Sequence, residues 1–306
     1  MPYDLTSPLV IGISSRALFD LEAENRIFEA QGVAAYEAWQ LAHEQDVLGK
    51  GAAFALTEAF LRLNTLQPER LVEVIVMSRN SPNTSLRIFH SLRSYGLDVH
   101  RAALTGGTGI APYLKAFHTD LFLSANAEDV KQAVDAGIAA GRILPGTPAP
   151  LPDAGASQIR IAFDGDAVLF SAESERIYQA QGLKAFEDNE REKADVPLGR
   201  GPFASFLQTL AHIQARFPDG AKAPVRTALV TSRSAPAHER AIKTLRAWNV
   251  RVDEAFFLGG VEKKDVLAAF GAQIFFDDQS VHAEPASQVV PAAVVPYRSG
   301  DDPRAE

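Results

Sequence analysis

Asp164-Gly165-Asp166 sets two carboxylates two residues apart, directly after the apolar run Ile159–Phe163. Carboxylates so placed can share a divalent cation while one keeps an oxygen free to attack an electrophile. Asp-Gly-Asp is equally ordinary turn chemistry, so the triplet alone does not select a function. Asp277-Asp278 ends a second apolar run, Ile274-Phe275-Phe276. Adjacent acids repel and gain little structurally, and a metal ion would relieve that repulsion. Thr231-Ser232-Arg233 follows Thr227–Val230, where a hydroxyl can hold a phosphoryl oxygen or simply cap a helix. Lys263-Lys264 follows Ala255–Leu258 and Gly259-Gly260. Either lysine can neutralise a phosphate, and a pair of solvated surface lysines is the plainer reading.

Each motif follows a short β-rich apolar run, and helical patterns over 203–216 and 236–248 fill gaps between the runs. Strands alternating with helices predict an α/β fold with parallel sheets wound in right-handed βαβ units. In such sheets ligands bind just beyond the carboxyl ends of the strands, which is where all four motifs fall.

The chain also contains itself twice. Arg26–Gly32 (RIFEAQG) returns as Arg176–Gly182 (RIYQAQG), and Leu48-Gly49-Lys50-Gly51 as Leu198-Gly199-Arg200-Gly201, both at an offset of 150. Leu56, Phe60 and Leu63 match Phe206, Leu210 and Ile213 at the same offset, one face of a helix in each copy. Further on the offset grows to 153, pairing Gly106-Gly107 with Gly259-Gly260 and Leu121-Phe122-Leu123 with Ile274-Phe275-Phe276. A register held so far predicts two tandem homologous Rossmann-like parallel-sheet halves, 1–142 and 158–298. Pro145, Pro148, Pro150 and Pro152 mark a stiff linker over 143–157, and the polar tail 299–306 is expected to fray.

Hydrophobic residues make up 46% of the 306, which excludes wholesale disorder. Thirty Lys and Arg stand against 38 Asp and Glu, a net charge of −8, and no basic run interleaves with aromatics. A nucleic acid polymer would be repelled on average, whereas a small phosphorylated substrate could bind where a metal ion reverses the local field. The chain has no cysteine, so thiolate metal sites and a cysteine nucleophile are out. No signal peptide and no apolar stretch near the ~20 residues of a membrane helix are visible, so a cytoplasmic protein without a membrane partner is expected. A homo-oligomer is left open.

Asp-x-Asp-x-Val, then Thr, then Lys, then Asp-Asp, each after a strand, resembles the four-part signature of the haloacid dehalogenase phosphohydrolases. Phe163–Ser171 (FDGDAVLFS), Ser174–Ile177 (SERI) and Phe275–Gln279 (FFDDQ) look more narrowly like the type I cytosolic 5'-nucleotidases. So do Ser14–Phe19 (SSRALF), Leu104–Gly107 (LTGG) and Ser124–Ala127 (SANA) in the first half, so the resemblance runs over nearly the whole chain. It implies hydrolysis of a nucleoside 5'-monophosphate, with AMP, dAMP or IMP as candidates; another small phosphomonoester such as a sugar phosphate is the alternative within enzymes. A nucleotide-binding regulator without turnover is the alternative outside them, and it would have no need of Asp166. The resemblance implies that Asp164 attacks phosphorus and that Asp166 protonates the leaving oxygen, then deprotonates water. It implies Mg²⁺ on Asp164, the Asp166 carbonyl and one of Asp277 and Asp278. Thr231 and Lys263, with Lys264 as the alternative lysine, would grip the phosphoryl oxygens, with Ser232 and Arg233 beside them. The segment 171–200 corresponds to a small helical cap.

In register, Asp164 and Asp166 face Ser14 and Arg16, Asp277-Asp278 face Ser124-Ala125, Thr231 faces Met77 at an offset of 154, and Lys263 faces Ile110. The first half is therefore expected to be catalytically degenerate. It keeps Ser14, Ser15, Arg16, Ser78, Arg79, Asn80, Thr105, Gly106 and Gly107 at its strand ends. Arginine and glycine-rich backbone there can bind anions without a metal, which predicts a nucleotide site that completes the substrate pocket or holds an effector; the plainer alternative is a first half that serves only as scaffold.

Overall fold

The computed structural model describes residues 3–145, 158–217 and 223–302. Most of the predicted linker, 146–157, and the end of the predicted tail, 303–306, lie outside the described residues. The apolar runs form ten strands of one sheet: β1 (Leu9–Ile13), β4 (Val72–Ser78), β5 (Arg101–Leu104), β6 (Leu121–Ser124), β7 (Ala139–Ile143), β8 (Ile159–Phe163), β9 (Val225–Thr231), β10 (Glu254–Phe257), β11 (Ile274–Asp277) and β12 (Ala292–Val294). Their order is β10-β9-β8-β11-β12-β7-β6-β1-β4-β5. Near-continuous apolar strands such as β1, β4 and β11 are buried throughout, as a sheet covered by helices on both faces requires.

Two separate parallel sheets were expected, and the described residues form one continuous ten-stranded sheet instead, beside a small antiparallel pair of β2 (Phe19–Asp20) with β3 (Gly49–Lys50). Five parallel strands, β5-β4-β1-β6-β7, abut five more, β10-β9-β8-β11-β12, in the same internal order. The seam is antiparallel, with Ala293 opposite Ile143 and Val294 opposite Arg142. Leu144 continues that seam by donating its amide to the Ala292 carbonyl at 2.9 Å, so residues 143 and 144 belong to the sheet and not to a linker. Because every other pairing in the sheet is parallel, the two blocks run in opposite directions. Their strand ends face opposite edges of the sheet. One buried cluster extends over both blocks, from Leu9 and Val74 to Phe163 and Phe276, so they share a core.

Equivalent positions repeat individual bonds. The Leu48 amide donates to Ser91 Oγ and the Leu198 amide to Thr244 Oγ1, both at 2.9 Å. Across β4 and β5 Arg101 pairs with Glu73; across β9 and β10 Arg226 pairs with Glu254, the same bridge with its charges exchanged. The repeated Gly51 and Gly201 have a close-packing cause. A Cβ on Gly201 would lie 2.4 Å from the Val168 and Phe170 carbonyl oxygens, and one on Gly51 2.8 Å from the Ala17 carbonyl oxygen.

After the first strand of each block the chain makes a long helical excursion, α2 (Glu22–Ala42) and α7 (Glu173–Glu192). Each is a hairpin of two helices turning at a glycine with φ 80°, Gly32 and Gly182, in the left-handed region that favours glycine. The remaining helices include α1 (Ser15–Leu18), α3 (Phe54–Arg62), α4 (Leu86–Ser94), α5 (Ala111–Ala116), α6 (Ala127–Asp135), α8 (Ala204–Ala215), α9 (His238–Ala247), α10 (Lys263–Phe270) and α11 (Ser280–Ala286). No helix among the described residues is long and apolar enough to cross a membrane. The first residues of the predicted tail are tied down: Ser299 donates its amide and hydroxyl to Asp135 on α6, at 2.7 and 2.8 Å.

Candidate active site

The carboxyl ends of β8, β9 and β11 and the start of α10 bring the four motifs of the second half together. Gly259 and Gly260, at φ 57° and 91°, make the left-handed turn that delivers Lys263 to the first position of α10. From there Lys263 Nζ donates to Asp164 Oδ1 at 2.7 Å and to Asp277 Oδ2 at 2.6 Å, all three side chains being buried. Lys264 instead reaches out to Gln288 at 3.0 Å, so Lys263 is the lysine of the cluster. Thr231 is buried at the end of β9, where Gly165 approaches so closely that a Cβ would sit 3.2 Å from Thr231 Oγ1. Ser232 is exposed.

One carboxylate oxygen from each of Asp164, Asp277 and Asp278 lies within 4.8 Å of the others. Asp277 has both oxygens engaged, Oδ2 by Lys263 and Oδ1 by the Gln279 amide at 2.8 Å. Asp278 accepts the Tyr297 hydroxyl on Oδ2, while its Oδ1 is buried without a partner. Burial, aided by the charges of Asp277 and Asp166 and opposed by Lys263, pushes Asp164 up to about 6. Burial and the neighbouring Asp164 and Asp277 likewise raise Asp278 well above the usual carboxylate range. Burial alone would lower Lys263, but Asp164 and Asp277 outweigh it and hold the ammonium above its ordinary value. Three carboxylates around one ammonium would leave negative charge uncompensated, which is why Asp164 and Asp278 hold on to their protons; a cation that displaces the proton of Asp278 meets a hard anionic oxygen. Such an all-oxygen set suits Mg²⁺. A cavity of about 480 Å³ opens beside Asp278, its wall including Gln279, Ser280, Tyr297, Arg298 and, from the first block, Lys131.

Asp166 lies in the turn Gly165–Leu169, whose Ala167 has φ 60° and which the Phe170 amide closes onto the Gly165 carbonyl at 2.8 Å. Its carboxylate is held by Arg233 through a two-pronged contact, Nε to Oδ2 at 2.8 Å and Nη2 to Oδ1 at 2.7 Å. Arg233 was expected to face a substrate. It is buried, and its guanidinium is taken up by Asp166 and by Glu190 on α7. Tyr297 and Glu190 were not foreseen, and only tertiary packing reveals them.

The first-block residues do not join this site. Ser14, Arg16, Arg79, Asn80, Thr105, Gly106 and Gly107 stand at strand ends on the opposite edge of the sheet, because the seam is antiparallel. Ser14 accepts the Ala17 amide, Arg16 pairs with Glu22 at 2.7 Å, and Arg79 is engaged by Asp129 at 2.6 Å. Thr105 donates to the Thr108 carbonyl, and the Gly106 and Gly107 amides close onto the carbonyls of Asn80 and Arg79 rather than standing open to an anion. The counterpart of Thr231 is Ser78 and not Met77: each ends a seven-residue strand, and each hydroxyl accepts the amide two residues on at 3.2 Å. Ser14, Ser78, Ser124 and Ile110 thus stand where the second block has Asp164, Thr231, Asp277 and Lys263, so neither the acids nor their ammonium are present at these first-block positions. Arg16→Ala is expected to leave kcat/KM for phosphate release within about twofold, since a partly exposed ion pair remote from the cluster contributes little. A tenfold rise in KM would place Arg16 in the substrate pocket.

A mixed α/β protein with a large, mostly parallel sheet and a charged cluster at its strand ends is what the fold and site define. The model of the 5'-nucleotidase family matches residues 1–302, and the chain belongs to that family. Human cytosolic 5'-nucleotidase 1B is 37% identical over 292 residues, covering 92% of this chain and 47% of that protein, so the chain spans about half the length of this curated relative. Among solved structures, a putative universal stress protein from Pseudomonas aeruginosa UCBPP-PA14 is 12% identical over 95% of this chain and 94% of its own, at a TM-score of 0.33. Histidinol dehydrogenase from Elizabethkingia anophelis is 11% identical over 79% and 48%, at 0.22. Neither likeness is close enough to carry an argument.

Proposed function

We propose that this chain is a Mg²⁺-dependent phosphoric monoester hydrolase that cleaves nucleoside 5'-monophosphates through an aspartyl-phosphate on Asp164. The observation that carries the proposal is the buried Asp164–Lys263–Asp277 triad beside the free Asp278 oxygen. A buried carboxylate held by an ammonium, with further acids beside it, is arranged to attack and not merely to bind. Membership of the 5'-nucleotidase family supports the nucleotide as substrate. Internal duplication, with the first block a degenerate copy, accounts for the matched strand order and the exchanged salt bridges.

Asp164 attacks phosphorus, and the bond from phosphorus to the 5'-oxygen breaks. Asp166 gives its proton to the leaving oxygen and then takes one from the water that attacks the aspartyl-phosphate, which releases phosphate and frees Asp164. Thr231 and Lys263 hold the phosphoryl oxygens. Asp164, Asp278 and the Asp166 carbonyl would hold Mg²⁺, with Asp277 kept by Lys263. When bound, the cation neutralises charge on the transferring group. Phosphate release from a panel of nucleotides and sugar phosphates, with Mg²⁺ and with chelator, tests the proposal. Equal release in chelator would refute the metal, and a preference for sugar phosphates would refute the substrate.

Mg²⁺ is also expected to raise Tm in the absence of substrate, by the equivalent of about 2.7 kcal/mol at a free concentration a hundred times Kd. The sign with pH follows from Asp164, raised to about 6. Below that pH protons compete with the cation for the carboxylate, so the gain should shrink between pH 7.5 and pH 5. A gain of equal size at both pH values would count against Asp164 as a ligand.

A further inference from the structure

We propose that Arg233 and Glu190 are positioning residues for Asp166, so that docking of the α7 hairpin sets the geometry of proton transfer to the leaving group. This rests on the reading of Asp166 as the acid above. Glu190, on the second arm of the hairpin, is fully buried and fixes one nitrogen of Arg233, and the other two hold the Asp166 carboxylate at 2.7 and 2.8 Å. Phe170 and Phe186 flank the same guanidinium at 5.8 and 5.4 Å from their ring centres. A fork held on every side leaves the Asp166 side chain little rotamer freedom.

The first block supplies an internal control. Hairpin docking there uses the same parts: Arg87 on helix Leu86–Ser94 donates to the Asp46 carbonyl and Ser91 accepts the Leu48 amide, as Arg240 does to Val196 and Thr244 does from Leu198. The acid that holds Arg87 is Glu24, on the first arm, and the second-arm counterpart of Glu190 is Gln40. In the second block the first-arm position is Ser174, which donates to Glu190 at 2.8 Å. A first-arm acid therefore suffices to dock a hairpin. An acid on the second arm reaches Arg233, whose own counterpart is Asn80, and the first-arm acid does not. The Glu190–Arg233 pair occurs in the block that has Asp166 and is absent from the block that lacks it.

General acid catalysis matters for a poor leaving group, the nucleoside alkoxide, and little for a good one such as p-nitrophenolate. Because kcat/KM reports only steps up to alcohol release, it isolates protonation of the leaving oxygen from later water activation. Arg233→Lys and Glu190→Gln should lower kcat/KM for a nucleoside 5'-monophosphate by on the order of 10²-fold, while kcat/KM for p-nitrophenyl phosphate falls less than about fivefold. Arg87→Lys, which disturbs only the first hairpin, should leave the ratio of the two unchanged. If Arg233→Lys fails to fold, Glu190→Gln decides alone. Parallel losses on both substrates, or no loss on either, would overturn the positioning role while leaving the proposed activity intact. Wild-type protein inert towards both substrates would instead remove the activity itself.

Discussion

Asp164→Asn is expected to abolish phosphate release, with kcat lower by roughly 10⁴-fold or more, the scale on which removal of a covalent nucleophile is felt. The amide is nearly isosteric and still accepts from Lys263 Nζ, so the fold and the 2.7 Å contact should persist. It cannot attack phosphorus. The sign of its effect on stability follows from the raised value of Asp164, about 6, which means the folded site favours the neutral carboxyl over the charged one. Above that pH, in chelator, a neutral amide therefore removes an unfavourable charge, and Tm should match or exceed that of wild type. Phosphate release at saturating nucleotide, together with a thermal melt in chelator, checks both halves. Wild-type-like turnover would sink Asp164 as nucleophile, and inactivity with a collapsed Tm would mean that the loss reported unfolding.

Much of this site was legible because strand ends are local. Ile159–Phe163 reads as a buried strand and is β8 residue for residue, so Asp164 had to stand at its carboxyl end. Ile274–Phe276 and the glycine pair before Lys263 placed the other charges in the same way. What stayed hidden were relations between distant segments. The antiparallel seam rests on two residue pairs, Ala293 with Ile143 and Val294 with Arg142, and neither short strand carries a mark of its partner. Yet that seam decides that the strand-end residues of the first block, Ser14, Arg16 and Arg79 among them, stand on the edge of the sheet opposite the acids. A compensated difference in spacing between the two blocks was invisible for a different reason. Phe19 and Phe170 occupy equivalent edge positions 151 residues apart, whereas Gly32 and Gly182 are 150 apart. The second block thus has one residue more in the turn carrying Asp166 and one fewer before the hairpin's glycine, and a constant offset passes over both. Partner choice was equally unreadable: a buried Glu190 and an exposed glutamate look alike in a charged helix until Arg233 and Arg240 close on one of them.

Lys263→Met is expected to have the second large effect, and here stability and chemistry should separate. The ammonium is buried between Asp164 and Asp277 at 2.7 and 2.6 Å. Removing one member of a buried ion cluster leaves the others uncompensated, a loss of about 3–5 kcal/mol where no rearrangement relieves it. Methionine fills nearly the same volume, so the loss would be electrostatic rather than a cavity effect. In chelator at pH 7.5 the variant should therefore melt well below wild type. Mg²⁺ should recover part of the difference, because a cation on Asp164 and Asp278 supplies charge to the same acids. Turnover should not recover, since Lys263 also holds the phosphoryl group in the proposed reaction and a lost charge-assisted contact there is worth about 1.5–3 kcal/mol. The double variant Lys263→Met/Asp164→Asn closes the cycle. With one acid neutralised, the penalty of losing the lysine should shrink, which gives a coupling energy of the sign expected for an ion pair. A Lys263→Met protein as stable as wild type in chelator would show that the three acids tolerate one another without the ammonium. The cluster would then not need a cation to offset its charge.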